Sequence, residues 1–170
     1  MADFSYRAAR LSDADAIARV VADAFQDFRS FAPEGWEPPG AEQELAEGAP
    51  SKLRDPGFWC AVAVAGGEVV GHAAFQPAAD GVAPAEDGPL AHLRELFVDR
   101  AWWGHGVAGE LHAMALSEAA ARGFAAIRLF TPAGQMRARR FYEREGWSAV
   151  SEPTASALGL ELVEYRRRLP

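Results

Sequence analysis

The tightest constraint on this chain lies where Leu93-Arg94-Glu95-Leu96-Phe97-Val98 leads into Trp102-Trp103-Gly104-His105-Gly106-Val107-Ala108-Gly109. The first stretch is apolar and reads as a strand. After the glycines, Val107, Leu111, Met114, Ala115 and Ala119 recur at helical spacing, and Gly123 is placed to stop the helix. The glycines therefore sit where a strand turns into a helix. Small residues let the backbone come close to a ligand, and the first helical turn leaves N–H groups without partners. With the positive end of the helix dipole, those donors favour an anion, most often a phosphate.

Three readings fit this loop. It can be a tight turn that binds nothing, the commoner case for an isolated Gly-x-Gly. It can be a dinucleotide loop, because Gly104, Gly106 and Gly109 match G-x-G-x-x-G. That fingerprint needs an acid at the end of the next strand to hold a ribose. The next strand, Ala126-Ile127-Arg128-Leu129-Phe130, runs into Thr131-Pro132 without one, and no Gly-Lys-Ser/Thr follows to make a Walker loop. The third reading is a pyrophosphate loop for an acyl-CoA. It gains from Ala138, Phe141, Tyr142, Glu143, Gly146 and Trp147, which give A-x-x-F-Y-E-x-x-G-W: a helix, a glycine stop, and an aromatic opening the next strand.

These residues carry a resemblance. The chain resembles the GNAT superfamily of N-acyltransferases, which move an acetyl or other acyl group from coenzyme A to an amine. The resemblance runs from Tyr6-Arg7-Ala8-Ala9-Arg10 to the last strand and is strongest from Leu93 to Trp147. The family loop is Gln/Arg-x-x-Gly-x-Gly/Ala. Gly106 and Ala108 match its last two positions, and Trp103 stands where the Gln or Arg would be. The resemblance implies one α/β (α+β) domain over residues 1–170, a mixed central sheet flanked by helices. Two central strands would splay to admit the pantetheine arm.

It also implies the site. Acetyl-CoA would be held by the backbone N–H groups of Trp103, Gly104, His105, Gly106, Val107 and Ala108. Phe97 and Val98 would pair with the pantetheine like an added strand, and an N–H near Val98 would stabilise the thioester oxygen. Gln135 stands where the family often has Asn, and Arg140 is the helix cation assigned to the 3′-phosphate, ahead of Arg137 and Arg139. Tyr142 is the candidate acid, since a phenol with a pKa of about 10 can protonate a thiolate. His92 occupies the position of a family Glu and is a candidate base. Glu95 is the other, and strand alternation sets it on the opposite face from His92. His72 is a further candidate, whereas His105 and His112 read as loop and helix-surface residues. The acceptor would be an amine of a small molecule or peptide. A non-catalytic acyl-CoA-binding or sensing domain is the alternative on the same fold, and homodimers are common in the family.

The rest of the chain bounds these readings. About half of the 170 residues are apolar, enough for a packed core. No stretch is long or apolar enough to span a membrane, and the N-terminus lacks the pattern of a signal peptide. The single cysteine, Cys60, sits in an apolar strand and makes no internal disulfide, which fits a reducing cytoplasm. No Cys/His cluster has metal-ligand spacing, so no metal is expected. A net charge of −7 argues against a nucleic-acid partner.

In chain order, Phe4–Ala8 reads as a strand, residues 14–25 as a helix, and 26–50 as an irregular region carrying Phe28, Phe31 and Trp36, with a short helix over Ala41–Leu53. Phe58–Ala65 and Glu68–Gln76 form a hairpin about Gly66-Gly67. A loop with Asp80, Glu86 and Asp87 precedes the central strand. Pro132 is expected to break its strand. Residues 134–145 read as a helix, and Trp147–Ser151 and Leu160–Arg168 as closing strands.

Charge is uneven: residues 1–90 carry 15 acids and 6 bases, and residues 91–170 carry 9 acids and 11 bases. An acidic half facing a cationic amine and a basic half facing phosphates would steer by charge. Transfer to cationic amines should then slow as salt shortens the screening length below about 8 Å, while transfer to neutral amines holds. Equal salt response of both classes in a rate titration removes the steering.

Overall fold

In the computed structural model of the chain, residues 3–40, 42–79 and 88–170 are described. The strands are β1 (Phe4–Ala8), β2 (Trp59–Ala65), β3 (Glu68–Pro77), β4 (Leu90–Val98), β5 (Ala126–Pro132), β6 (Ser148–Ala149), β7 (Thr154–Ala155) and β8 (Glu161–Arg168). The helices are α1 (Ala14–Asp27), α2 (Glu42–Arg54), α3 (Val107–Ala121) and α4 (Met136–Arg144). The acids Asp80, Glu86 and Asp87 fall outside the described residues. At the β2–β3 hairpin, Gly66 and Gly67 take φ of 58° and 85°, as a two-residue turn with left-handed central residues requires. Among the described residues no helix is long and apolar enough to cross a membrane.

The strands form one mixed sheet of eight, in the order β1-β2-β3-β4-β5-β8-β6, with β7 also pairing β8. Only β4 and β5 run parallel. Helix α1 covers one face: Ile17, Val20 and Val21 pack on Cys60, Val62 and Ala74, with Leu45 and Leu53 of α2 against the same cluster. The other face belongs to α3 and α4, where Leu111, Ala115 and Tyr142 pack on Ala73, Leu93, Ile127, Leu129 and Tyr165. Sheets covered on both faces bury near-continuous apolar strands, which explains the unbroken Val/Ala runs of β2 and β3.

The sheet is torn in the middle. Strands β4 and β5 pair only at Leu90↔Ala126, Ala91↔Ile127 and His92↔Arg128, although β4 continues to Val98 and β5 to Pro132. Past this last rung, β4 stays with β3 up to Gly71↔Val98, and β5 stays with β8 up to Pro132↔Leu162. A Cβ on Gly71 would lie 2.9 Å from the Phe97 carbonyl oxygen. The absence of a side chain there lets the end of β4 lie close on β3, away from β5.

Two expectations about the central strands are corrected by the register. Glu95 and His92 share a face. Ala74 pairs Glu95 while Phe75 pairs Leu93, so Arg94 is an extra, bulged residue. His72, Ala74 and Gln76 alternate on one face of β3, and their partners are Phe97, Glu95 and His92. A bulge cancels simple alternation. Second, Pro132 does not break β5. Ala133 donates to Glu161 O on the β8 side, so the nitrogen of Pro132 faces the gap, where no strand needs an N–H.

The closing strand is shorter than its sequence reading, only Ser148–Ala149, and β7 is an added rung. His112 is not a surface residue. It is 2% exposed between α3 and the Trp147 segment, and its Nε2 accepts the Trp147 indole N–H at 2.9 Å. Burial, opposed by Glu145, lowers its pKa to about 4.

That shift has a sign. Between about pH 6.5 and 4 the unfolded chain binds a proton that folded His112 refuses, so its contribution is complete above the unfolded value and is lost as the medium acidifies. The melting temperature should fall from pH 7 towards 4.5. His112→Gln, which keeps an acceptor and cannot titrate, should flatten that slope in a pH series of melts; an unchanged slope would remove His112 as the cause.

Candidate functional site

The torn region is bordered by several of the sequence-identified residues, those of β4 and of the loop that follows it. Its outer mouth is the loop from Asp99 to Gly106. Gly104 and Gly106 both take φ of 83°, and Gly106 is the N-cap of α3. A residue with a side chain would be strained at either place. Among the described residues, the N–H groups of Gly104, Gly106, Val107 and Ala108 have no acceptor. Those of Trp103 and His105 do: they donate to Arg100 O at 3.2 Å and Trp102 O at 3.4 Å. The free donors are therefore four of the six expected, at a helix N-terminus, where unpaired amides suit a diphosphate.

Trp103 has a role that the loop comparison misses. Its indole N–H donates to Val98 O at 2.8 Å, tying the loop to the end of β4. Arg137, at the start of α4, stacks over its ring at 4.4 Å. This contact crosses the mouth, since Trp103 follows β4 and Arg137 follows β5. Of the three arginines considered on α4, Arg137 is thus the one beside the phosphate loop. Arg139 is committed to Tyr165 Oη and Ala133 O, and Arg140 is exposed on the helix. Gln135 caps α4, and its amide oxygen accepts from Thr131 at 3.3 Å.

Along the gap, strand alternation decides which backbone is available. Phe97 O faces Gly71, and Asp99 N donates to Val70 O, so both point to β3. The peptide groups of Leu96 and Val98 consequently face the gap. Phe97 offers no free backbone there; its side chain packs with Phe25 and Phe28. Leu96 was not singled out in the sequence, and only the register identifies it.

Tyr142 and the two candidate bases lie on opposite faces of the sheet. Tyr142 is 8% exposed among Phe141, Trp147 and Tyr165, and burial raises its pKa. No residue among those described hydrogen-bonds its hydroxyl. His92 sits on the last rung, with its ring 5.6 Å from that of Phe130. Burial first, then the charges of Arg128 and Arg94, lowers its pKa to about 4. Glu95 is engaged: it accepts from fully buried His72 Nε2 at 2.8 Å and lies 3.8 Å from Lys52 Nζ. Burial pushes its carboxyl up, but the His72 hydrogen bond and charge, with Lys52 and Arg94, outweigh that and hold it below the usual range. Both groups are therefore unprotonated at neutral pH. Cys60 is no nucleophile, because burial, then the charges of Glu95 and Asp13, pushes its thiol up to about 12.

Comparison with known proteins agrees with this geometry. The family profile described as Acetyltransferase (GNAT) family matches residues 21–147. No curated protein matches the chain in sequence. Among solved structures, it is similar to a GCN5-related N-acetyltransferase from Kribbella flavida, at 21% identity and a TM-score of 0.73, covering 98% of both chains. It is also similar to the PaiA N-acetyltransferase from Thermoplasma acidophilum in complex with coenzyme A, at 14% identity and a TM-score of 0.74, covering 98% of this chain and 99% of that one. A ribosomal-protein alanine N-acetyltransferase from Escherichia coli matches at 17% identity and a TM-score of 0.67, covering 98% and 94%. With the profile spanning most of its length, and the glycine loop, torn sheet and α4 tyrosine in place, the chain belongs to the acetyltransferase (GNAT) family.

Proposed function

We propose that this protein is an N-acetyltransferase that transfers an acetyl group from acetyl-CoA to a primary amine by direct attack. The observation that carries this reading is the gap past the His92–Arg128 rung, opening towards the unpaired amides of Gly104, Gly106, Val107 and Ala108. Acetyl-CoA, when bound, supplies an acyl group activated as a thioester, and the amine nitrogen displaces the thiolate from it.

The chain's own residues do the rest. The four loop amides and the α3 dipole hold the diphosphate, with Arg137 beside them. Leu96 and Val98 present their N–H groups to the gap, as donors for the pantetheine arm and for a carbonyl oxygen that gains charge. His92, neutral at physiological pH, takes the proton released from the attacking nitrogen. Tyr142, which burial keeps protonated, gives its phenolic proton to the departing sulfur. The ionised Glu95, fixed by His72, places negative charge on the acceptor side of the gap.

Three outcomes test this reading. Tyr142→Phe should lower kcat about a hundredfold, by the usual contribution of a positioned acid, with unchanged heat of coenzyme A binding. A wild-type rate would end the acid role. Trp103→Phe keeps a ring under Arg137 but loses the bond to Val98 O. Coenzyme A should bind it roughly three- to tenfold more weakly in calorimetry, the scale of one hydrogen bond. Because the pKa of His92 lies near 4, kcat/KM above pH 5 should follow the free-base fraction of the acceptor amine, with no inflection near 6.5; a limb at 6.5 would contradict it. Coenzyme A binding without thiol release from any amine would mark a sensing domain instead.

A further inference from the structure

The floor of the gap holds a cation with no ion-pair or hydrogen-bond partner among the described residues. Arg128 forms the last β4–β5 rung with His92 and is only 9% exposed. Its Nε is enclosed and makes no hydrogen bond, and among the described residues no carboxylate forms an ion pair with it. The acid that acts on it, Glu164, two residues along β8 from its strand partner Arg166, is committed to Arg166 at 2.7 Å. Burial lowers the pKa of Arg128, and Glu164 and Arg166 act on it with opposite signs. A buried cation without a partner is expensive, and folds seldom keep one idle.

The neighbourhood shows where a counter-ion would sit. The Arg128 guanidinium stacks over the Phe130 ring at 5.1 Å, and His92 meets the same ring. Phe130 is 41% exposed, unusual for a phenylalanine in a central strand. Its open side lines a cleft of about 330 Å³ with Leu162, Ala155, Ser151, Thr154 and Glu164, a volume within the range of small-molecule sites. By register, His92, Arg128 and Phe130 all lie on the α1/α2 face of the sheet, at the inner end of the gap.

We propose that the acceptor is an amino carboxylate with an apolar side chain, its carboxylate bound by Arg128 and its side chain resting on Phe130 and Leu162. Its amine then projects past His92 into the gap. The guanidinium supplies the fork that a carboxylate matches, its terminal N–H groups donating to the two oxygens. The proposal rests on the acetyltransferase reading and narrows its substrate class.

The test uses the full-length chain saturated with coenzyme A or acetyl-CoA. L-phenylalanine, L-leucine and L-methionine are compared with their amides, by calorimetric binding and by free-thiol release. At least one acid should bind and react at least tenfold better than its amide. Arg128→Gln should bring that ratio towards one through KM, and Arg128→Lys should restore part of it. Equal handling of acids and amides by the wild-type protein, or no binding of any of the three acids, overturns the proposal. Neither depends on a variant folding. Failure of the acetyltransferase reading looks different: coenzyme A gives no heat, or no amine of any class releases thiol. Acids that bind through Arg128 while no amine of any class releases thiol would support the anion site and refute the transferase.

Discussion

Everything in this structure that resembles a site follows from one unmade set of hydrogen bonds. Parallel strands normally stay paired along their common length, and β4 and β5 do so for only three rungs. Each is then retained by its other neighbour, β4 by β3 and β5 by β8. The bulge at Arg94 bends β4 at the level where pairing fails, and the bare backbone of Gly71 lets its end settle on β3. On the opposite lip, proline at 132 removes a donor that would face the gap unsatisfied. The exposed backbone of Leu96 and Val98 is thereby reserved for something other than a strand.

The same rupture explains the chemistry of the groups around it. His92 and Arg128 are residues of the last closed rung, so they are buried by the sheet below and open to the gap above. Burial among cations keeps His92 unprotonated. On the other face, the packing of Tyr142 against Tyr165 and Trp147 keeps its phenol protonated. A protonated phenol and an unprotonated imidazole thus lie on opposite faces of the sheet, the placement that the proposed proton transfers use. Glu95, the more acidic candidate, is held by His72 and Lys52, a partnership that fixes charge more than it moves protons.

The aromatic residues of the α1–α2 connection tie separate parts of the fold together. Phe28 and Trp36 are buried with Leu160, and the Trp36 indole donates to Leu158 O. Phe31 packs on Gly134 at the start of the β5–α4 turn. These contacts strap the connection to both the β8 side and the β5–α4 corner, so the two halves of a torn sheet are bridged across one face. Such bridging offsets the rungs missing between β4 and β5.

Much of this was written locally. Strand, glycine loop and helix around Gly104–Gly106 follow from periodicity and from the φ values only glycine adopts readily, and the A-x-x-F-Y-E-x-x-G-W run marks α4 and Tyr142 without reference to the rest of the chain. What the chain order could not carry was decided by register and contact between distant segments. A single bulged residue turned Glu95 onto the face of His92, and alternation against β3 made Leu96 rather than Phe97 the backbone facing the gap. Trp103 found Val98, His112 found Trp147, and Arg128 was left stacked on Phe130 without an acceptor. The physical reason is one of range: φ preferences and hydrophobic period act within a few residues, whereas burial, pairing register and the neutralising of charge depend on which strands lie side by side.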